Sequence, residues 1–388
     1  MRDRLALATF LSLLALFGWQ GLTGDDGRLR AEQDHTITLS LSRELVDTGD
    51  YHPDFVYPLP AVVFKLALGG LGTNASSLVW MALMLAAALA CVQALSRLAP
   101  TPAGRSRYAA PLLGALAIVY CVRWDFRAVN SNTVFLAAAL WGFERVSRGR
   151  AVVGGALLAV SVALKLYSAP LVALLAWMRS WRALAWSVAW LGALFVVVPA
   201  LWFGPLEAFE LTGRWIERLL GSGSGVGEGR VTAYNVSLLR ALGALLGAAE
   251  DPSRAALWGA RLLALAFAAS IVARLARFPV PEGSAVSSSR TLSGIGLVLV
   301  ATLLLSPITQ PHHGVMLWPL ATVIAAAALD SSAPTRSRIV AASLLVAVPV
   351  GFAIAPSGSG KAIAMSAASL LLGAAALAGL GERERSPT

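Results

Sequence analysis

Long apolar runs recur from one end of the chain to the other, and only short polar links separate them. A helix needs about 20 apolar residues to cross roughly 30 Å of hydrocarbon. With 57% hydrophobic and 13% charged residues, the chain holds more apolar surface than a water-soluble fold can bury. The sequence predicts an all-α, polytopic transmembrane bundle of about 12 helices, forming one domain over residues 1–388. The candidate crossings are 4–23, 75–97, 108–123, 129–146, 151–166, 168–180, 183–203, 254–276, 290–307, 313–330, 338–355 and 361–380.

The charged residues indicate an orientation in the membrane. The net charge is +10, yet the arginines form small clusters beside apolar runs, so we expect no nucleic-acid partner. By the positive-inside rule, these basic links mark the cytoplasmic side. Acidic residues dominate 24–55, which predicts a long first extracytoplasmic loop, and 204–253 is predicted as a second outward region. The chain is therefore expected to be a multi-pass protein of the cell membrane, with its polar segments outside.

Three apolar segments do not fit simple crossings. Residues 4–23 resemble a secretory signal, but no convincing small-x-small cleavage site follows, so a retained first helix is expected. Residues 56–72 are predicted to form an interfacial or re-entrant helix, with Lys65 snorkelling to the surface. Residues 151–180 are short for two crossings and are predicted to form a broken hairpin, with Pro170 between its halves.

Asp34 lies just before a short helix expected on the membrane surface at 37–46. A carboxylate near a helix amino terminus is favoured by the helix dipole, so a plain capping role explains it. The alternative is a catalytic base on the extracytoplasmic side. The residues alone leave both interpretations open.

Lys165 and the pair His312-His313 are the other conspicuous polar groups. Lys165 ends an apolar run, where an unpaired ammonium is costly, so it either binds a partner such as a lipid phosphate or snorkels. Adjacent histidines on a helix point about 100° apart and chelate one metal poorly. They are suited to hydrogen bonding with a phosphate or sugar, or else they are interfacial side chains satisfied by water.

Further polar residues are predicted to lie on the same outward membrane face. Each of them could be a cap or a turn when it is taken singly. Their convergence on one face is what indicates a site. They are Tyr57-Pro58, Asn130 and Asn132, and Tyr234-Asn235-Val236-Ser237 with Arg240.

Several of these residues form an ordered series of motifs. The series comprises Asp34; Gly49 and Tyr51; Tyr57-Pro58; Arg148-Gly149-Arg150 with Gly154-Gly155; Lys165 with Pro170; Asn235, Ser237 and Arg240; and Leu305-Ser306-Pro307 before His312-His313. In this order they resemble glycosyltransferase family 87, the polyprenol-phosphate-mannose-dependent transferases of the GT-C superfamily. Two elements differ from the family pattern: Val129-Asn130-Ser131-Asn132 replaces Gly-Gln-x-Asn, and the second proline of Tyr-Pro-Pro is displaced to Pro60.

The resemblance implies a GT-C-type bundle that acts as a hexosyltransferase in a bacterial plasma membrane. Its donor would be a polyprenyl-phosphate sugar, with mannose expected, and its acceptor an extracytoplasmic glycolipid or glycan. Asp34 would be the general base for transfer with inversion, and the scheme requires neither a metal nor a cofactor. The implied donor-binding residues are Lys165, Arg240, His312, His313, Tyr57, Asn132 and Asn235.

Two other functions remain possible for such a bundle. A transporter or flippase of lipid-linked sugars should show matched halves with broken helices near the midplane, and no such halves are evident. A lipid-linked oligosaccharide ligase would transfer a preassembled glycan. The donor sugar, the acceptor, the linkage and the oligomeric state stay open.

Overall fold

The fold is helical throughout the part of the chain that the structure describes. The structure is a computed structural model that describes residues 2–23, 34–51, 57–101, 104–225, 237–245, 254–277, 288–306, 309–355 and 359–382. These ranges contain helices and connecting turns and no strand, so the predicted all-α class is confirmed.

Eighteen α-helices lie in the described ranges. Two 3-10 segments, Leu166–Ser168 and Pro311–Leu317, and a π-type segment, Ala193–Val197, join some of them. The helices are α1 Arg2–Thr23, α2 Asp34–Thr48, α3 Leu59–Gly69, α4 Thr73–Leu98, α5 Ala109–Ala117, α6 Val119–Ala128, α7 Asn132–Ser147, α8 Ala151–Leu164, α9 Ala169–Trp177, α10 Trp181–Gly192, α11 Val198–Phe203, α12 Pro205–Gly225, α13 Leu238–Leu245, α14 Arg254–Arg277, α15 Ser288–Leu305, α16 Trp318–Leu329, α17 Thr335–Ile354 and α18 Ser359–Glu382.

Six helical stretches of the described chain are long and apolar enough to cross a membrane, which indicates a multi-pass membrane protein. The pair α5 and α6 makes a seventh if its two bent halves count as one span. The prediction of about 12 crossings is therefore not confirmed. The six stretches are Leu5–Thr23, Thr73–Leu98, Trp181–Phe203, Ser288–Leu305, Pro311–Leu329 and Thr335–Ile354.

The helices are interrupted at two places within the predicted crossings. α5 and α6 meet at an angle of 76°, and α6 carries Arg123, Asp125 and Arg127, which are costly in hydrocarbon. α8 ends at Lys165, whose backbone is extended (φ −159°, ψ 121°). Pro170 lies in the first turn of α9, where proline is tolerated. The predicted break in the hairpin is present, but it falls at Lys165 and not at Pro170.

The two predicted outward loops contain helices. In the first, α2 covers the expected surface helix at 37–46 and begins at Asp34, while 24–33 and 52–56 lie outside the described residues. In the second, α12 and α13 occupy much of what was predicted as a loop at 204–253. These helices lie within the region predicted to face outward, and the outward orientation of 204–253 stays a prediction.

The bundle is centred on α7, which packs between α4 and α8. Small residues permit the close approach of α8 to its neighbours. A Cβ at Gly155 would lie 2.8 Å from the Ser187 backbone nitrogen on α10, and one at Gly154 would lie 2.8 Å from the Gly142 carbonyl oxygen on α7. Two neighbouring glycines thus let both faces of α8 pack against other helices.

A second, smaller hydrophobic cluster lies apart from the main core. Its buried members are Leu45 of α2, Leu59 and Val62 of α3, and Leu211 of α12. Beside it, the Arg214 guanidinium donates hydrogen bonds to the Gly49 carbonyl and, at 3.2 Å, to Asp50. This small cluster supports the carboxyl-terminal half of α2, while His35 near the start of the helix stacks on Trp80 of the main core.

The carboxyl-terminal end of α7 carries a compact group of ions, named here the Glu144 cluster. The buried Glu144 carboxylate forms ion pairs with Arg97 at 3.1 Å, Arg145 at 3.6 Å and Arg148 at 2.8 Å. The guanidinium groups of Arg97 and Arg145 also lie 4.7 and 4.8 Å from the centroid of the Trp141 ring. One carboxylate therefore binds three arginines directly.

Candidate active site

Polar side chains from five chain segments meet at the amino-terminal end of α7. They come from the start of α2, the turn before α3, the turn before α7, the break after α8 and the 3-10 segment before α16. Helix breaks and ends place each of them, because such positions free side chains from the packed helix faces. The Asp34 cluster is defined as Asp34, Tyr57, Asn130, Asn132, Lys165, His312 and His313.

Asp34 is held by two donors on the same oxygen. The Tyr57 hydroxyl donates to Oδ2 at 3.3 Å and the Asn130 amide donates to Oδ2 at 3.0 Å. Burial, followed by the charge and hydrogen bond of Asp34, raises the pKa of Tyr57 well above 10.0, so the phenol stays a donor. Among the described residues, no side chain donates to Oδ1 of Asp34. That oxygen is the one left to accept a proton.

Lys165 reaches the cluster from the break after α8. Its ammonium donates to Asn132 Oδ1 at 2.7 Å and to Asn130 Oδ1 at 3.2 Å. The ammonium also interacts electrostatically with Asp34, but the Asn130 amide bridges the two, since its nitrogen binds Asp34 and its oxygen binds Lys165. The carboxylate and the ammonium are neighbours without forming a direct ion pair.

The hydrogen bonds fix the tautomers of the two histidines. Asn130 uses its oxygen for Lys165, so its nitrogen must donate to His312 Nε2, at 3.2 Å. The Gln310 backbone N–H donates to His313 Nδ1 at 3.0 Å, which leaves the proton of His313 on Nε2. This Nε2 lies 3.4 Å from the Lys165 ammonium. Two donors thus face each other, an arrangement that an anionic oxygen would satisfy.

Asp125 was not predicted as part of the site, yet it orients one of its members. Its fully buried carboxylate accepts from the Asn132 amide at 3.0 Å and from the Thr133 backbone at 3.1 Å. Asn132 also donates to the His312 carbonyl at 3.1 Å. With both amide hydrogens used in this way, the Asn132 oxygen must face Lys165. The available sequence signal was one carboxylate in a helix seven positions before Asn132.

Lys65 is buried, so the prediction that it snorkels to the surface was wrong. Only 5% of it is exposed, and its ammonium lies 2.9 Å from His35 Nδ1 and 4.0 Å from the Trp80 ring centroid. The Ser76 hydroxyl donates to the Thr73 carbonyl at 2.9 Å and accepts from His35 Nε2 at 3.2 Å. His35 Nδ1 is therefore the acceptor for Lys65. The hydrogen bond to His35 inside the protein replaces the contact with water that snorkelling would provide.

His35 stays neutral in this arrangement. Burial, and then the charge of Lys65, lowers the pKa of His35 from 6.5 to about 3. A neutral imidazole can link Ser76 on α4 to Lys65 on α3. The residue next to Asp34 in the chain is thereby tied to two further helices.

Two predicted site residues are not among these contacts. Asn235 lies outside the described residues. Arg240 is a buried residue of α13, a helix that packs against α14 and α18, and its backbone N–H donates to Ser237 Oγ at 3.3 Å. The structure brings Asp34, Tyr57, Asn132, Lys165, His312 and His313 together as expected, while the roles of all the predicted site residues stay predictions.

The arrangement has the chemical elements of a group transfer to an incoming hydroxyl. It offers one carboxylate oxygen that can take a proton, beside an ammonium and an imidazole N–H that can bind an anion. The carboxylate and the ammonium are neighbours, and the Asn130 amide between them prevents a direct ion pair.

Comparisons with known proteins agree with this chemistry. The profile of glycosyltransferase family 87 matches residues 55–307. A curated relative is the polyprenol-phosphate-mannose-dependent alpha-(1-2)-phosphatidylinositol pentamannoside mannosyltransferase of Mycobacterium tuberculosis, 29% identical over 291 residues. The match covers 75% of this chain and 62% of the relative. No solved structure matches the chain.

Proposed function

The chain belongs to glycosyltransferase family 87 and is a membrane glycosyltransferase, and from this premise we propose its reaction. The enzyme transfers a mannosyl group from a polyprenyl-phosphate carrier to a hydroxyl of a glycolipid or glycan on the extracytoplasmic side. The name of the mycobacterial relative, which includes polyprenol-phosphate-mannose, supports this choice of donor.

The observation that carries the proposal is the Asn130 bridge between Asp34 and Lys165. Its amide nitrogen lies 3.0 Å from the carboxylate and its oxygen lies 3.2 Å from the ammonium. A direct ion pair would neutralise both groups and block access to them. The bridge keeps a base and a cation side by side, so that each is free for a different part of the donor and acceptor.

Asp34 is the proposed general base. As the acceptor oxygen attacks the anomeric carbon, its proton passes to Asp34 Oδ1, the oxygen without a donor from the described residues. Tyr57 and Asn130 hold Oδ2 and so aim Oδ1. Attack opposite to the departing phosphate inverts the anomeric centre, and a β-linked mannosyl phosphate gives an α-mannoside.

Lys165 and His313 are the proposed ligands of the phosphate. The bond from the anomeric carbon to the phosphate oxygen breaks with its electron pair on the oxygen, so negative charge increases there. The ammonium and the imidazole N–H, 3.4 Å apart, can both donate to that oxygen. Because polyprenyl phosphate is a weak base, electrostatic stabilisation helps its departure more than protonation does.

A lipid-linked donor also fits an extracytoplasmic site. Nucleotide sugars are confined to the cytoplasm, whereas a polyprenyl carrier can present its sugar on the other membrane face. The acidic residues predicted for the first outward loop support placing Asp34 on that face.

The direct test is the Asp34→Asn variant, which keeps the shape of the side chain and removes the base. We expect mannosyl transfer from a short-chain polyprenyl-phosphate mannose to fall about 10²- to 10⁴-fold, the usual contribution of a general base. The matched control is Asp47→Asn, which makes the same change at an exposed position of α2, about 20 Å along the helix. Transfer is measured with radiolabelled donor in membranes that contain each variant.

Two results would contradict the proposal. Full turnover by folded Asp34→Asn enzyme would remove Asp34 as the base. Movement of intact lipid-linked sugar across vesicles without glycoside formation would instead identify a flippase.

A further inference from the structure

The chain contains only three lysines among its 31 Lys and Arg residues, namely Lys65, Lys165 and Lys361. Lys165 belongs to the Asp34 cluster, and Lys361 lies on α18, 5.0 Å from the Tyr120 ring centroid. Lys65 lies beside the cluster and has no part in the scheme described above. Its place in the reaction is therefore an open question.

The surroundings of Lys65 lack a paired carboxylate. Its ammonium contacts the neutral His35 at 2.9 Å and the face of Trp80 at 4.0 Å, and none of the described acidic groups lies within ion-pair distance. Burial of an ammonium without a carboxylate partner is costly and lowers the pKa of Lys65 from 10.5 to about 7, so an anion bound beside it would favour its charged form. Such a cost is typical of functional positions.

Lys65 is close to both charged members of the cluster. Its hydrogen-bond partner His35 follows Asp34 directly in the chain, and the ammonium feels the charges of Asp34 and Lys165. The remaining buried carboxylate, Asp125, is occupied by donors at the start of α7. Asp34 therefore lies near two ammonium groups, and one of them has no anion of its own.

The proposed transfer concentrates negative charge on the leaving phosphate, where a second cation would stabilise it. Before transfer, Asp34 carries one negative charge and the donor phosphodiester carries another. Afterwards Asp34 holds the acceptor proton and is neutral, while the released phosphate monoester carries two. Two ammonium groups balance two negative charges in both states, whereas Lys165 alone would leave one charge uncompensated in each state and would face both charges of the product phosphate.

We propose that Lys65 is the second cationic group of the donor pocket, which stabilises the dianionic polyprenyl phosphate as it leaves. His35, aligned by Ser76, acts as a positioning residue that holds the ammonium over Trp80 and toward the phosphate. This role rests on the function proposed above.

The test measures binding, so that it does not depend on turnover. The purified full chain in lipid nanodiscs is titrated at pH 7 with farnesyl phosphate and, separately, with farnesyl methyl phosphate. A phosphate monoester with a second pKa of about 6 is a dianion at this pH, whereas the diester is a monoanion. We expect the wild type to prefer the dianion about tenfold, as one extra charge-assisted contact implies.

Neutral variants should remove that preference selectively. In Lys65→Met and Lys65→Gln we expect the preference to fall to about twofold or less, while Lys165→Met weakens both ligands. Lys361→Met is the matched control and should keep the wild-type preference. Ser76→Ala, which disturbs His35 but keeps every charge, should also retain a preference for the dianion.

The possible results separate the two proposals. A folded Lys65 variant with an unchanged preference would overturn the role of Lys65, and so would an equal loss of affinity for both ligands. A wild type that binds both ligands with the same affinity would overturn it too, while the proposed function stands. A wild type that binds neither ligand would contradict the proposed function itself.

Discussion

The two ends of α7 bury charge in opposite ways. At its amino-terminal end, Asp34 and Lys165 are joined through Asn130, and Asn132 binds the same lysine. At its other end, about 18 Å away, the Glu144 carboxylate pairs directly with arginines, at distances as short as 2.8 Å. Both groups of residues are built around helix ends in an apolar bundle.

The difference separates a structural ion cluster from a reactive one. In the Glu144 cluster three arginine side chains bind the one carboxylate directly, so this carboxylate fixes helix positions and is not free to take a proton from a ligand. In the Asp34 cluster the amides satisfy the charged groups with neutral dipoles and leave their charges available. Interposed asparagines are therefore the feature that distinguishes the proposed binding site from the directly paired Glu144 cluster.

The largest expected loss of activity comes from removing the cation of the Asp34 cluster. Lys165→Met should lower mannosyl transfer about 10²- to 10³-fold, the effect of losing one donor to a developing oxyanion. Steady-state transfer assays with varied donor concentration measure this loss. Lys361→Met, a lysine substitution outside the cluster, should stay near the wild type. Transfer by Lys165→Met at the wild-type rate would mean that this lysine has only a structural role.

The reverse experiment removes the shared anion at the other end of α7. Glu144→Gln should lower the free energy of unfolding by about 2 kcal/mol, less than for a fully buried pair. The reason is that the side chains of Arg97 and Arg148 are 35% and 51% exposed and keep water as a partner. Thermal unfolding in detergent measures the effect. Transfer per folded molecule should stay within about threefold of the wild type. A larger loss would mean that the Glu144 cluster and the Asp34 cluster are energetically coupled.

A milder change tests whether the amides must be oriented. Asp125→Asn places an NH₂ group where the carboxylate accepts from Asn132 and Thr133. Asn132 should then rotate its amide and turn donors toward Lys165, which should raise the donor KM about tenfold, as the loss of one charge-assisted hydrogen bond implies. Thr133→Val, which removes only the hydroxyl bond to Asp125, is the control. Equal donor KM values in the two variants would refute orientation by Asp125.

The helical class followed from the apolar runs, but the number of crossings did not. The run 108–123 was predicted as one crossing, yet the chain bends by 76° between α5 and α6. The break at Lys165 likewise depends on the bonds of its ammonium to Asn130 and Asn132. Hydropathy counts residues along the chain and contains no information on such tertiary contacts.

The candidate site was more predictable than the helix count. Asp34, Lys165 and the two histidines were singled out because polar groups recurred on one predicted face, but their roles came only from the resemblance to family 87. Asp125 was missed although Asn132 and Thr133 follow it by seven and eight positions, and Lys65 was predicted to snorkel because its partner His35 is 30 positions away. A buried carboxylate bonded to a helix start is indistinguishable, in sequence, from an ordinary surface residue.

The support of α2 by its own small cluster has a consequence for natural variation. Leu45 on the helix that begins with Asp34 packs with Val62 and Leu211, and Tyr57 of the site packs against the same cluster. A substitution such as Leu45→Ala should leave the bundle inserted and folded but misplace the carboxylate. Inactive alleles of this enzyme are therefore expected to include substitutions of apolar residues that do not contact the substrate, and the variant proteins should accumulate at normal levels.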